Sequence, residues 1–426
     1  MSIHSSAKPK QLNNLFDKFK LFLADVAVFS HRQQEKAIRY PMMTYGCNNA
    51  QLCWNHEAIA NAVAALRTIY PNLSDHLSKQ LLQEFMQQIF EEQFVNGNLD
   101  NGHEIIIDSL LSIIDDSDIK SRLDTFVANA KKNIDEFLVA VPILGIETKY
   151  SGIHVRNVTI HSCESPTVVQ VLNDLKQQLK VNDNHFVIQQ LDLANCYAVI
   201  SVEGDAYFAR EKAEIETEEA IKLLNFCLSS SVHQPNWAKI GIAPVIINQS
   251  LSTKFIGYSF ARTADRSLEI DSGKHGFIKW CGILIDENPE NDITKRILRS
   301  VRWYSKAVDT ESPEESFVNL TTALESLLVD KSENNDQTTT GSINQKLRER
   351  VAFLLDESMQ DRISRVSVMG KLYGSRSGIV HSGNTVDRHD LIQMDNITKS
   401  TIMAFAEKKF GKWQDFLDWL NEKKFS

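Results

Sequence analysis

Hydrophobic residues recur at intervals of three and four positions through the first third of the chain. This spacing places them on one face of a helix, and it predicts helices over residues 15–29, 55–69, 73–94, 105–114 and 119–139. The charged positions between them are interpreted as solvated helix faces. Residues 1–145 are therefore predicted to form a mostly helical N-terminal region.

Near Pro142 short runs rich in β-branched residues replace the helical spacing. Such runs are typical of strands, and they predict strands over residues 153–160, 186–191, 197–202, 240–247 and 255–260, with helices over 168–179 and 216–228. This alternation predicts an α/β domain with a mixed sheet over residues 146–290. The sequence contains neither a Gly-x4-Gly-Lys-Ser/Thr loop nor a Gly-x-Gly-x-x-Gly turn, so no motif indicates nucleotide binding.

From residue 291 the helical spacing returns and continues to the end of the sequence. It predicts helices over residues 292–306, 313–328, 343–355, 359–372, 391–405 and 413–420. The second of these has a strong start signal, because Ser312 is a good N-cap, Pro313 suits the first helical position and Glu315 follows the cap by three residues. Residues 291–426 are predicted to form an all-α bundle. The predicted fold class is therefore α+β and multidomain.

Charge and hydropathy exclude some classes of function. The net charge of −9 argues against a generally basic coat protein for nucleic acid, although it allows a local basic site. The longest apolar stretch, residues 137–146, is too short to span a bilayer, and residues 1–14 contain no apolar core of a signal peptide. We therefore expect a cytoplasmic protein without a membrane partner, and we expect its six cysteines to be reduced core thiols.

The candidate chemistry lies in the stretch from Tyr373 to Gly383, where Arg376 and His381 are five positions apart. Arginine presents a planar fork of donors that fits a phosphate. Histidine is the side chain whose unperturbed pKa allows proton transfer near neutral pH. Together they are a minimal set for cleaving RNA without a metal ion. The same spacing also occurs at Arg156 and His161, so context has to decide between the two pairs.

Arg156 and His161 lie in a predicted strand, where positions an odd number apart point to opposite faces. Arg376 and His381 would also diverge on a regular helix, by about 140°. However, three glycines surround the pair, and they weaken the helix and permit bends. These glycines are Gly374, Gly378 and Gly383.

Local charge also favours the later pair. Residues 341–381 contain seven Lys/Arg and four Asp/Glu, which is 7 − 4 = +3 in a chain of net charge −9. Tyr373, three residues before Arg376, would share its helix face and could stack on a base or bind a phosphate. There is an alternative interpretation, in which Arg376 caps the C-terminal carbonyls of a helix and His381 is an ordinary core or surface residue. Spacing and charge alone support this alternative and the RNA site equally.

Three segments resemble the HEPN superfamily, and within it the Apea-like HEPN group. They match its first core helix, its second core helix and its signature. The segments are Phe317-x2-Leu320-x2-Ala323-Leu324-Glu325, then Lys346-Leu347-Arg348-Glu349-Arg350-Val351-Ala352-Phe353-Leu354-Leu355, then Leu372-Tyr373-x2-Arg376-Ser377-x-Ile379-Val380-His381-x-Gly383. The resemblance covers about residues 291–410. Ser377 fits the Apea-like group, whereas the wider superfamily often has Asn, Asp or His there.

The resemblance implies a helical domain that pairs two-fold and often is a metal-independent endoribonuclease of prokaryotic toxin or anti-phage modules. It implies that Arg376 and His381 are the active pair, with both subunits contributing to one cleft. No metal ion or other cofactor is expected, and the expected partners are RNA and a second copy of the chain. The candidate RNA-contacting residues are Tyr373, Ser377, Lys371 and Arg365.

Residues 1–290 carry no such resemblance. Because a nuclease toxic to its own cell needs restraint, we expect this part to restrain the C-terminal domain or to sense a phage-derived or cellular trigger. Two alternatives stay open. In one, the C-terminal domain is a non-catalytic HEPN module that binds RNA or a protein partner. In the other, weaker one, Cys47, Cys53 and His56 hold a metal ion, although their spacing fits no common zinc pattern.

Overall fold

The computed structural model describes residues 9–24, 27–30, 44–47, 50–53, 56–90, 116–149, 152–179, 194–228, 239–240, 245–248, 268–269, 291–330 and 343–425. These residues are mostly helical, with a small antiparallel sheet in the middle of the chain. The helices are α1 (Pro9–Ala24), α2 (His56–Ile69), α3 (Asp75–Phe90), α4 (Asp116–Lys132), α5 (Pro166–Leu179), α6 (Ala206–Leu228), α7 (Asp292–Asp309), α8 (Pro313–Leu328), α9 (Ile343–Leu355), α10 (Met359–Ser382), α11 (Arg388–Glu407) and α12 (Trp413–Phe425).

The strands are short except for two. They are β1 (Ala27–Ser30), β2 (Thr44–Cys47), β3 (Ala50–Cys53), β4 (Asp135–Leu144), β5 (Ile146–Glu147), β6 (Ile153–Val155), β7 (Val158–Ser162), β8 (Cys196–Gly204), β9 (Lys239–Ile240), β10 (Val245–Asn248) and β11 (Leu268–Glu269).

Helices α1 to α4 bury the apolar faces that their spacing predicts. Phe19 of α1, Phe85 of α3 and Phe126 of α4 meet in the core, with ring centroids 5.2 or 5.3 Å apart. Tilted and edge-to-face arrangements at this distance suit the quadrupoles of aromatic rings. The three-and-four spacing is therefore explained by a shared hydrophobic core.

The N-terminal region is less purely helical than predicted. Helix α1 ends at Ala24, and strand β1 follows where the prediction extends the helix to residue 29. Strands β1, β3 and β2 form an antiparallel sheet in that order. Pairing with a distant strand can override a local helical period. The helix predicted over residues 105–114 lies outside the described part.

The helix predicted over residues 119–139 is also too long. Helix α4 ends at Lys132, and β4 begins at Asp135. Strand β4 is buried continuously from Val139 to Ile143, so it shows no alternation that would distinguish a strand from a buried helix. Its antiparallel pairing with β9 stabilises the extended form.

The sheet in the middle of the chain has the strand order β10-β4-β8-β7-β6, and β9 also pairs with β4. The registers described in it are antiparallel, whereas a mixed sheet is predicted from the sequence. Part of this difference in strand direction comes from residues 153–160. The sequence predicts one strand there, but the structure has two antiparallel strands, β6 and β7, joined by a tight turn. Arg156, with a positive φ of 55°, reverses the chain between β6 and β7. Strands β5 and β11 form a separate parallel pair, and the strands predicted over 186–191 and 255–260 lie outside the described residues.

Helices α7 to α12 pack through the apolar positions that the sequence singles out. Phe317, Leu320, Leu324 and Leu328 of α8 are fully buried, as predicted. The predicted start of α8 is confirmed, because Ser312 Oγ accepts a hydrogen bond from the Glu315 amide at 3.2 Å and Pro313 is in the first turn.

The chain divides into two compact units. One contains Met1–Val139, Ser201–Lys212 and Ile246–Ile256, and the other contains Ala140–Ile200, Ala213–Val245 and Gly257–Ser426. Helices α7 to α12 therefore share a unit with much of the middle region. The predicted boundaries at residues 145 and 290 stay predictions. Of the helices described, none has the length and apolar character needed to cross a bilayer.

Candidate active site

Helix α10 carries both residues of the candidate pair. The helix begins after Ser358, whose Oγ accepts a hydrogen bond from the Asp361 amide at 3.1 Å. It ends at Gly383 in the left-handed conformation with φ 65°, and the Asn384 amide donates to the Gly378 carbonyl at 3.3 Å. Glycine at this position suits the left-handed cap. The helix runs unbroken through its glycines, so Arg376 and His381 lie on one continuous helix.

Arg376 is half-buried near the middle of the last three turns of α10. Its Cζ lies 5.8 Å from the centroid of the Tyr373 ring, within the range of a cation–π contact. Its Nε is buried and has no hydrogen-bond partner. In the part of the chain that the structure describes, no carboxylate forms an ion pair with this guanidinium. Its buried Nε is out of reach of solvent, but no described carboxylate competes with an anion for the Nη donors of Arg376.

Tyr373 is held from the neighbouring helix α8. Its hydroxyl donates to Glu325 Oε1 at 2.7 Å. Burial, followed by the hydrogen bond to Glu325 and the charge of that carboxylate, raises the pKa of Tyr373 to about 12, although Arg376 opposes this shift. The Tyr373 hydroxyl is therefore a donor already used within the protein, while its ring faces the guanidinium.

His381 is exposed in the last turn of α10. On an ideal helix, five positions separate it from Arg376 by about 140° of rotation and about 7.5 Å of rise. Among the described residues, no hydrogen bond joins the two side chains. One copy of the helix therefore presents the Arg376 guanidinium and the His381 imidazole in different directions.

The other predicted RNA-contacting residues differ in how free they are. Arg365 forms a bidentate ion pair with Asp356, through Nε at 3.0 Å and Nη2 at 3.1 Å. Its fork of donors is occupied, so Arg365 is better explained as a link between α10 and the end of α9. Lys371 and Ser377 are exposed on α10. They stay candidate contacts for a polyanion.

Three acidic residues hold the end of α10 and the loop that follows it, and none of them is predicted as a site residue from the sequence. Glu325 accepts from Tyr373, Asp390 accepts from Ser375 Oγ at 3.4 Å, and Glu314 accepts from the Val386 amide at 3.3 Å. Glu325 belongs to the first HEPN-like segment, which is the signal that could have identified it. Nothing in the local pattern marks Asp390 or Glu314.

Arg156 and His161 have different surroundings. Arg156 Nη1 lies 3.5 Å from Glu219 Oε2, with side chains that are 15% and 12% exposed. Its position at the turn of a hairpin explains why it does not share a strand with His161. Desolvation and the charge of His154 lower the pKa of His161. Because its arginine is already paired with a carboxylate, this second pair is a poor anion site.

The alternative metal site at Cys47, Cys53 and His56 falls on side chains outside the described part. Among the residues described, no group of three His, Cys, Asp or Glu side chains could hold a metal ion. This alternative stays a hypothesis without structural support.

In the comparisons with known proteins, no family model, curated protein or solved structure matches this chain. The function is therefore inferred from the residues of α8, α10 and α11 and from their geometry.

Proposed function

We propose that this chain is a metal-independent endoribonuclease of HEPN type, with Arg376 and His381 as its catalytic pair and α7 to α12 as its HEPN-like domain. One observation carries the proposal. Among the described residues no carboxylate pairs with Arg376, which shares its helix with the exposed imidazole of His381, whereas Arg365 and Arg156 are both paired with carboxylates.

The chemistry follows from these two groups. A neutral His381 would accept the proton of a ribose 2′-OH while the 2′-oxygen forms a bond to the adjacent phosphorus. The bond from phosphorus to the 5′-oxygen breaks, and a protonated imidazole would supply the proton to that leaving oxygen. Arg376 would stabilise the negative charge that grows on the phosphoryl oxygens. The products are a 2′,3′-cyclic phosphate and a 5′-hydroxyl, and DNA is not cleaved because it has no 2′-OH.

A pair of subunits would complete this site. One helix turns Arg376 and His381 apart by about 140°, and a single imidazole cannot be acid and base in the same step. A two-fold arrangement brings the same surface of each copy together. We therefore propose a homodimer in which α10 of both copies lines one cleft, so that two imidazoles and two guanidinium groups face the RNA.

The biological setting is proposed from domain order and resemblance. The chain would act in the cytoplasm as a toxin or anti-phage effector, and its first 290 residues would restrain the nuclease or sense a phage-derived or cellular trigger. The whole chain has a net charge of −9, whereas residues 341–381, which contain the site, have a net charge of +3. An acidic remainder of the chain would be attracted to this basic segment and could cover it.

The second candidate is a non-catalytic HEPN module that binds RNA or a protein partner. The observation that favours it is the divergence of Arg376 and His381 on one unbroken helix. Such a module would bind RNA through Arg376, would leave the RNA intact, and would not need His381.

The test uses the purified full-length chain and a defined single-stranded RNA. We expect cleavage to continue in EDTA and to leave 2′,3′-cyclic phosphate ends. An RNA of the same sequence with 2′-O-methyl groups should bind and resist cleavage, because the attacking oxygen is blocked. Cleavage that is lost in EDTA and returns with Mg²⁺, or products with 5′-phosphate ends, would contradict the proposed mechanism. Binding without cleavage of either RNA would favour the non-catalytic module.

A further inference from the structure

We propose that Glu325 is a positioning residue that fixes the catalytic Arg376 through Tyr373. This inference rests on the proposed function, since it assigns the support of the same site. Glu325 on α8 would hold the phenol of Tyr373, and the ring of Tyr373 would hold the guanidinium of Arg376 in the direction of the phosphate.

The geometry connects the three side chains in a row. The Tyr373 hydroxyl donates to Glu325 Oε1 at 2.7 Å, which is a short hydrogen bond to a charged acceptor and therefore a strong one. Tyr373 and Arg376 are three positions apart on α10, where side chains are neighbours. The Arg376 Cζ lies 5.8 Å from the centroid of the Tyr373 ring.

The position of Glu325 is unfavourable for its own helix. It lies in the last turn of α8, where the helix dipole disfavours a negative charge. The last turn of α8 contains no basic residue. The carboxylate therefore does not stabilise the end of α8. Among the described residues, its side chain accepts a hydrogen bond from Tyr373.

Tyr373 separates the acid from the arginine. In the described part of the chain, Glu325 and Arg376 form no ion pair. A direct bidentate pair, such as that of Arg365 with Asp356, uses two guanidinium donors. The phenol instead lets an acid fix the orientation of the arginine while the donors of the guanidinium stay available for a phosphate.

The first part of the test is kinetic and uses the full-length chain. Tyr373→Phe keeps the ring and removes the hydroxyl, and Glu325→Leu removes the acceptor. We expect each to lower kcat by about 10- to 100-fold, as for other small displacements of a catalytic group, with KM changed by less than about twofold. The double variant should be no slower than either single one, because both act on Arg376. Glu325→Gln keeps a carbonyl acceptor for the hydroxyl and should restore most of the activity lost in Glu325→Leu.

The second part does not depend on cleavage. In arginine-labelled protein, the Nε–H resonance of Arg376 is identified by its loss in Arg376→Lys. We expect an ordered, slowly exchanging signal in the wild type and in Glu325→Gln, and a broadened or shifted one in Tyr373→Phe and Glu325→Leu. The control variants Glu311→Gln and Tyr207→Phe alter residues that take no part in the Glu325–Tyr373–Arg376 contacts. They should leave both the signal and the kinetics as in the wild type.

Each outcome decides a different point. An Arg376 signal that stays unchanged in Tyr373→Phe would overturn the positioning role, even if kcat falls, because Tyr373 would then act directly on the RNA. The positioning role would also be overturned if the Arg376 signal changed in Tyr373→Phe while kcat stayed the same, provided that Arg376 itself is needed for cleavage. If the wild type cleaves no RNA, the resonance still decides whether Glu325 and Tyr373 order Arg376. Tyr373→Phe keeps the ring volume, so it answers the question if Glu325→Leu fails to fold.

Discussion

The Arg302 guanidinium donates from Nε to Glu219 Oε2 at 2.6 Å and thereby joins α7 to α6. The same carboxylate oxygen lies 3.5 Å from Arg156 Nη1, at the turn between β6 and β7. Close by, the Phe226 and Tyr304 rings pack edge to face with centroids 5.0 Å apart. The Glu219 carboxylate, which contacts both arginines, therefore links the hairpin, α6 and α7. The Phe226–Tyr304 ring pair adds a second contact between α6 and α7.

Glu219 should matter more for stability than Arg302. Glu219 and Arg156 are 12% and 15% exposed, whereas Arg302 is 51% exposed. Glu219→Ala leaves a mostly buried guanidinium without its acceptor, so we expect a loss of about 1–3 kcal/mol in the free energy of unfolding. Arg302→Gln breaks a solvent-screened pair and should cost less than about 1 kcal/mol. Urea unfolding of both variants measures this difference, and equal losses would show that Arg156 does not depend on Glu219.

Two glycines, one inside α10 and one at its C-terminal cap, should respond oppositely to alanine. A Cβ at Gly374 would meet nothing within 4 Å in the interior of the helix, so Gly374→Ala should stabilise the protein by about 0.5–1 kcal/mol. Gly383 has φ 65°, so Gly383→Ala should destabilise it by about 1–2 kcal/mol. Unfolding midpoints in urea test both signs. A destabilised Gly374→Ala would indicate that another surface closes over this part of α10.

His161 should add to the acid sensitivity of the fold. Burial and the charge of His154 lower the pKa of His161, so the unfolded chain, with a histidine pKa of about 6.5, binds the proton more readily. The stability linked to this group is then complete above about pH 6.5 and is lost as the pH falls toward the lowered pKa of the folded state.

The measurement for His161 is the unfolding free energy of wild type and His161→Gln between about pH 5 and pH 7.5, a range that brackets the unfolded pKa. The variant should lose less stability on acidification. His389→Gln alters a histidine that is 80% exposed and should keep the wild-type slope. An unchanged slope in His161→Gln would show that the proton is taken up elsewhere.

The helices of the C-terminal part could be predicted well from the sequence because their signals agree with each other. In α8 the N-cap Ser312, the proline after it and the buried face of Phe317 and Leu324 all favour the same element. Such consistency between local signals and packing is what makes an element predictable. The strands were harder to predict. The apolar run of β4 has no period of two, and the hairpin turn at Arg156 carries neither a glycine nor a proline.

The candidate site could be predicted only in part. Spacing and resemblance suggest Arg376 and His381, since these lie only five positions apart in the sequence. The Tyr373–Glu325 hydrogen bond joins residues 48 positions apart, and the Arg365–Asp356 pair depends on how α9 meets α10. Contacts of this kind arise from tertiary packing, which a local sequence pattern does not contain.

The most direct test of the central claim compares RNA cleavage by the wild type, Arg376→Ala and His381→Ala, using purified full-length protein. Removing a general acid or base typically lowers a rate by about 100- to 10,000-fold, so we expect a loss of that size in His381→Ala and a comparable one in Arg376→Ala. The matched controls are Arg299→Ala and His389→Ala, which remove exposed residues of the same types on α7 and α11 and should cleave like the wild type. Thermal unfolding of every variant checks that the fold is intact. Wild-type cleavage that depends on both residues is the predicted result, and cleavage that survives in His381→Ala would contradict the account.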